Sequence, residues 1–162
     1  MNLISNEDKT FGFIWTVDLI NEPFVFGRVQ IIIGDEIYPK HCPREYYALS
    51  TVFPNLKASF KDKDYAGGTD GKDFGMADFD LSAYESCKLK NIFSIETTYM
   101  GMKTGSLEDC SIDCLILEMG YAGDKERLFY SFDYAKTFKE ICYPRGTVED
   151  VIFRLPDFPL NL

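Results

Sequence analysis

Five large apolar residues stand at every second position of one short segment. In Phe11-Gly12-Phe13-Ile14-Trp15-Thr16-Val17-Asp18-Leu19, the side chains of Phe11, Phe13, Trp15, Val17 and Leu19 share one face if the backbone is extended. A helix would scatter the same residues around its circumference. The segment therefore commits the chain to a half-buried strand, and so to a sheet with an apolar side. Trp15, the sole tryptophan, falls on that side and reads as core rather than as a ligand contact.

Asn21-Glu22-Pro23 breaks the run, and residues 24–33 form a second strand in which Gly27 marks a bulge. Gly34-Asp35-Glu36 turns the chain into a short third strand, Ile37-Tyr38, which Pro39 ends. The N-terminal third thus reads as an antiparallel meander. Pro43-Arg44-Glu45 opens a helix reaching Phe53, with Tyr46, Leu49 and Phe53 at core spacing and Pro54-Asn55 as its end. Residues 61–80 form a long irregular loop, and Asp80 and Ser82 suit the start of a short helix over 81–87. Four further strands follow at 92–99, 111–119, 127–132 and 137–142, with turns at 101–105, 120–124 and 133–136. Their short connections favour antiparallel neighbours. A last helix begins near Gly146-Thr147, with Thr147 as N-cap and Asp150 as its capping partner. Its apolar stripe is Val148, Val151, Ile152 and Leu155, and Pro156 stops it. Phe and Tyr supply 24 of the 25 aromatic residues, which adds to the strand bias. The expected fold is α+β, mainly antiparallel sheet with two or three helices including a C-terminal one, in a single domain over 1–162.

Charge narrows the function. The formal net charge is −9 on 162 residues, which disfavours nucleic acid or an anionic membrane as direct partner. His41 is the only histidine, so the commonest general base and metal ligand is available at one position, in a proline-flanked turn. Adjacent His41-Cys42 does not make a catalytic pair, which is spatial rather than sequential. Cys110 and Cys114 have the spacing C-x3-C, but no second pair completes a zinc site. The five cysteines, an odd number without framework spacing, and an N-terminus without a leader pattern, read as reduced thiols in a cytoplasmic protein. No nucleophile motif, phosphate loop or zinc-helix motif occurs, and no cofactor is called for. A hydrolase built on two carboxylates has no pair that the sequence singles out.

The acid surplus is uneven. Between Asp62 and Glu85 lie seven acidic and two basic residues, a net of −5. Asp62, Asp64, Asp70, Asp73, Asp78, Asp80 and Glu85 supply the charge, and Tyr65 and Tyr84 stand among them as aromatic anchors, beside Phe74 and Phe79. Acid interleaved with rings suits a basic protein partner. The plainer reading is a solvated acidic loop. Residues 62–73 also partly mimic a calcium loop, with Asp at positions 1, 3, 9 and 12 and Gly at 6, but Ala66 holds position 5 and Asp replaces the final Glu. A calcium-dependent or small-ligand module is therefore the alternative reading.

Two stretches resemble a known family. One is Phe11–Asp18 followed by Phe26-Gly27-Arg28-Val29-Gln30-Ile31-Ile32-Ile33-Gly34-Asp35-Glu36-Ile37. The other runs Lys125-Glu126-Arg127-Leu128-Phe129-Tyr130-Ser131, Phe138-Lys139-Glu140-Ile141, then Pro144-Arg145-Gly146-Thr147-Val148-Glu149-Asp150-Val151-Ile152 to Leu155-Pro156. Both are similar to the small immunity proteins of bacterial polymorphic-toxin and contact-dependent growth inhibition systems, in particular the family numbered forty-two. The resemblance implies a cytoplasmic, non-enzymatic protein that binds and neutralises one cognate toxin domain. Such toxins are often basic nucleases, including those that cleave transfer RNA. It supplies no catalytic residues. The interface expectation, Asp62, Asp64, Tyr65, Asp70, Asp73, Asp78, Asp80, Tyr84 and Glu85, rests on charge and loop character alone.

Overall fold

The computed structural model describes residues 1–41, 46–61, 73–85, 91–97 and 115–158. The described chain is α+β, with three antiparallel sheets and three helices. The first sheet orders β1 (Asn2–Ser5), β2 (Phe11–Trp15), β5 (Val29–Ile33) and β6 (Glu36–Tyr38) side by side. The second is small: β3 (Leu19–Asn21), β4 (Phe24–Gly27) and β7 (Tyr47–Ala48). The third orders β11 (Lys139–Pro144), β10 (Lys125–Ser131), β9 (Ile116–Ala122) and β8 (Ile92–Ile95). The helices are α1 (Leu49–Ala58), α2 (Leu81–Glu85) and the C-terminal α3 (Thr147–Phe153).

Phe11, Phe13 and Trp15 are buried on one face of β2, as alternation requires, but Val17 and Leu19 are exposed. Strand register gives the reason. Phe11 to Trp15 pair with Ile33 to Val29, and Leu19 to Asn21 pair with Phe26 to Phe24. Between these ladders, Thr16, Val17 and Asp18 face only Gly27 and Arg28. The extra residue lies on the first strand, opposite Gly27 rather than at it, and it shifts every later side chain to the other face. Gly27 is there because the strands close tightly: a Cβ on it would sit 1.7 Å from the Thr16 carbonyl oxygen. The long second strand read from the sequence is thus β4 and β5, split between two sheets. The Gly34-Asp35 turn and the short strand ending at Tyr38 are as expected. The edge strand β1, exposed at Asn2 and Leu3, carries no sequence signal.

The first helix starts later and ends later than its sequence punctuation suggests. Tyr47 and Ala48 pair with Gly27 and Phe26, so helical turns begin at Leu49, and Tyr46 is exposed rather than core. Pro43 to Glu45 lie outside the described residues. Pro54 sits inside α1 instead of ending it. Leu49, Val52, Phe53 and Leu56 form one fully buried stripe, and burying Leu56 beyond the proline offsets much of the missing hydrogen bond, about 3 kcal/mol. Lys57, also buried, donates at 2.7 Å to the Leu155 carbonyl and at 2.7 Å to Asp157, tying α1 to the chain after α3.

A single cluster of buried side chains draws on all three sheets, α1 and α3. Trp15 meets Phe53 edge to face at 5.5 Å, and Phe11 meets Tyr143 of β11 at 6.0 Å. The stripe Val148, Val151, Ile152 and Leu155 is buried as predicted. The cap of α3 is not. Gly146 occupies the N-cap with positive φ, Thr147 is the first helical residue, and its hydroxyl donates to the Pro144 carbonyl at 2.6 Å. The helix start is closed from a distance by Glu126 of β10, whose carboxylate accepts from Gly146 N at 2.8 Å and Val148 N at 2.6 Å.

Candidate functional site

The third sheet is buried on both sides, and the two sides differ. Alternation along β9 and β10 sends Leu117, Met119, Tyr121, Glu126, Leu128 and Tyr130 to the inner face against the core. Glu118, Gly120, Arg127 and Phe129 go to the outer face. Residues 73–85 lie across that outer face as a strap.

The strap begins at a parallel bridge between Asp73 and Tyr121. Phe74 N and Gly75 N donate to the Tyr121 carbonyl at 2.7 and 3.1 Å. Gly120 lies beneath this crossing, and a Cβ on it would meet Ile92 Cδ1 at 2.6 Å and Phe74 Cβ at 3.0 Å. Gly120 is therefore a contact glycine inside β9, not the start of a turn, and the turn is Gly123-Asp124. Arg127, with a side chain only 4% exposed, donates from Nη1 to the carbonyls of Gly75 and Ala77 at 2.8 and 2.7 Å. Its other edge grips Glu140 through Nε at 2.5 Å and Nη2 at 3.2 Å. Its guanidinium lies 5.0 Å from both the Phe74 and Phe129 ring centres. Further along, Phe79 stacks on Phe129 at 4.4 Å and packs on Phe138 at 4.8 Å. Asp80 then caps α2, accepting from Ser82 N at 2.9 Å and Ser82 Oγ at 2.7 Å, and the Ser82 hydroxyl leads in holding its carboxyl below the usual range.

At the end of the strap is a cavity of about 380 Å³. Tyr84, Ser94, Glu96, Thr97, Glu118 and Tyr134 supply its polar lining, with Ile95, Leu115, Ile116 and Leu117 between them. Glu118 is 4% exposed. It accepts from Ser94 Oγ at 2.6 Å and from the Tyr84 hydroxyl. Burial pushes its carboxyl up to about 7, against the pull of those two hydroxyls. A carboxyl near neutrality inside a cavity can exchange a proton or take a cation.

Of the residues singled out from sequence, Asp62, Asp64, Tyr65 and Asp70 lie outside the described residues, as do Cys42, Cys87, Cys110 and Cys114. Asp73, Asp78, Asp80, Tyr84 and Glu85 all fall on the strap or α2. Asp73 Oδ1 accepts from Gly123 N at 3.1 Å and lies 3.6 Å from Arg145. Asp78 and Glu85 are exposed. Tyr84 is half-buried, with its ring 5.5 Å from Phe138 and its hydroxyl on Glu118. His41 is exposed in a bend, and Cys142 is an exposed free thiol on β11. Among the described residues no group of His, Cys, Asp and Glu could hold a metal ion, and no helix is long and apolar enough to cross a membrane.

Sequence reasoning missed Glu118, Glu126 and Arg127. For Glu118 a signal existed: it is the one charge in Leu115-Ile116-Leu117-Glu118-Met119-Gly120-Tyr121. A family model described as Immunity protein 42 matches residues 6–158. No curated protein and no solved structure matches the chain.

Proposed function

The chain belongs to the immunity protein 42 family, and from that premise we propose that it binds one cognate bacterial toxin domain in the cytoplasm and neutralises it without chemistry of its own. The observation that carries this reading is the family match, which runs through nearly all of the chain. The net charge of −9 adds the chemistry of the partner: a basic toxin domain, of the kind that acts on a polyanion such as transfer RNA. Acid presented where the substrate phosphates would lie would cover the active site or substrate surface of such a domain. The acidic segment Asp62, Asp64, Tyr65, Asp70, Asp73, Asp78, Asp80, Tyr84 and Glu85 is the surface proposed for that contact. The strap supports it, since Asp78 and Glu85 are exposed while the rings between them are fastened to the sheet. The calcium-loop alternative gains nothing from Asp73, whose carboxylate is already held by Gly123 N.

The test is co-expression with the toxin domain encoded immediately upstream. Wild-type chain should rescue growth and bind the domain one to one. Replacing Asp62, Asp64, Asp70 and Asp78 together by Asn should weaken binding at least tenfold and flatten its salt dependence. Rescue by the wild type with unchanged affinity in the fourfold variant would move the interface elsewhere. No rescue by the wild type would remove the immunity reading.

A further inference from the structure

We propose that the cavity over β8 and β9 is a socket for a guanidinium side chain, which Glu118 receives at its floor. The partner that would supply it is the basic toxin domain, so the physiological half of the inference rests on the immunity reading. The socket itself does not.

The two oxygens of a carboxylate offer about four acceptor positions, and a carboxylate removed from water is costly unless they are filled, best by a cation. The third sheet holds two buried glutamates. Glu126 receives two backbone N–H groups of α3, one on each oxygen. Among the described residues Glu118 receives the two hydroxyls of Ser94 and Tyr84, and it borders the cavity. A guanidinium offers the missing element, a positive charge with paired N–H donors that match a carboxylate edge. The walls suit it too. Glu96 and Thr97 add acceptors, Tyr84 and Tyr134 present rings, and Ile116, on the same face of β9 as Glu118, can cover an aliphatic stem. The volume, about 380 Å³, fits one side chain or small ligand rather than an element of structure. Tyr84 of α2, Glu96 after β8 and Tyr134 after β10 are the titratable groups that face the cavity with Glu118, and β10 sets Phe129 opposite it.

The first experiment uses N-propylguanidinium as the probe, titrated into the full chain and followed by amide NMR. At pH 8 it should produce saturable shifts at Ser94, Ile95, Leu117 and Glu118. Because the free carboxyl must lose its proton to bind a cation, affinity should fall about tenfold at pH 6. Glu118→Gln keeps the side-chain shape and should abolish both the shifts and the pH dependence. No saturable shifts, or shifts unchanged in Glu118→Gln, overturn the socket. The second experiment uses the toxin domain. Where the wild type binds it, Glu118→Gln should weaken binding at least tenfold and remove its dependence on pH between 6 and 8. Equal affinity of wild type and Glu118→Gln at both pH values overturns the socket as a toxin contact. A wild type that binds no such domain removes the immunity reading instead, and the propylguanidinium titration then decides the socket alone.

Discussion

Glu126 and Arg127 are neighbours on β10, point to opposite faces of one sheet, and each fastens a cover. Glu126 closes the inner side by capping α3 with its carboxylate. Arg127 closes the outer side by holding the strap carbonyls of Gly75 and Ala77. The covers differ in what else holds them. Beneath α3 lies an apolar stripe, Val148, Val151 and Ile152, buried completely. Under the strap lie a few rings and a guanidinium. A helix with such a stripe retains most of its burial energy when a cap is lost. A strap tied mainly by polar bonds does not.

That difference sets the largest expected effect. Arg127→Met keeps the stem but leaves the two strap carbonyls and Glu140 without their donor, and should cost about 3 kcal/mol in urea unfolding. Amides of Phe74 and Gly75 should lose hydrogen-exchange protection while those of β2 and β5 keep theirs. Uniform loss of protection across both would break the distinction between the two covers. Glu126→Ala should cost less, about 2 kcal/mol, because α3 keeps its buried stripe when the amides of Gly146 and Val148 lose their acceptor. Its exchange signature should be confined to α3. A larger loss than that of Arg127→Met would place the dominant fastening on the inner side.

How much of this was legible in the sequence follows from the range of each interaction. Phe11, Phe13 and Trp15 announce a strand because alternation is local and half-burial is written into it. Val17 and Leu19 mislead because the bulge that flips them depends on how few residues the opposite strand provides. Gly120 has the composition of a turn, and only the strap passing over it reveals a contact glycine. Thr147 fits the local pattern of an N-cap, yet the carboxylate that caps α3 comes from Glu126, 20 residues before Gly146 and 22 before Val148. Glu118 was readable as an anomaly, one acid in an apolar strand, but its cavity was not.

Glu118 is the third buried charged group on this sheet, and among the described residues the Tyr84 hydroxyl is its one bond to the outer cover, so its replacement should have the smallest effect and the opposite sign. Its folded carboxyl sits near 7 against an ordinary value of 4.5, as does that of Glu126, in both cases because burial outweighs their hydrogen bonds. Such a group binds its proton more tightly in the folded chain, so it contributes fully below pH 4.5 and the contribution is lost as pH rises through 7. Asp133 works the other way. The Thr137 hydroxyl and amide, with Ser131, hold it down to about 2, so its contribution is present above pH 3.8 and lost as pH falls towards 2. Stability should therefore peak between about pH 4 and 5 and decline towards pH 8. Glu118→Gln removes one of these declining contributions. The melting temperature of the variant should fall less steeply between pH 5 and 8, and at pH 8 it should be more stable than wild type by about 1 kcal/mol, because an amide need not carry charge in that burial. A variant less stable than wild type at pH 8 would mean that the Glu118 carboxylate is itself a fastening, like its neighbours on β10, and that the sheet holds three clamps rather than two clamps and an open acid.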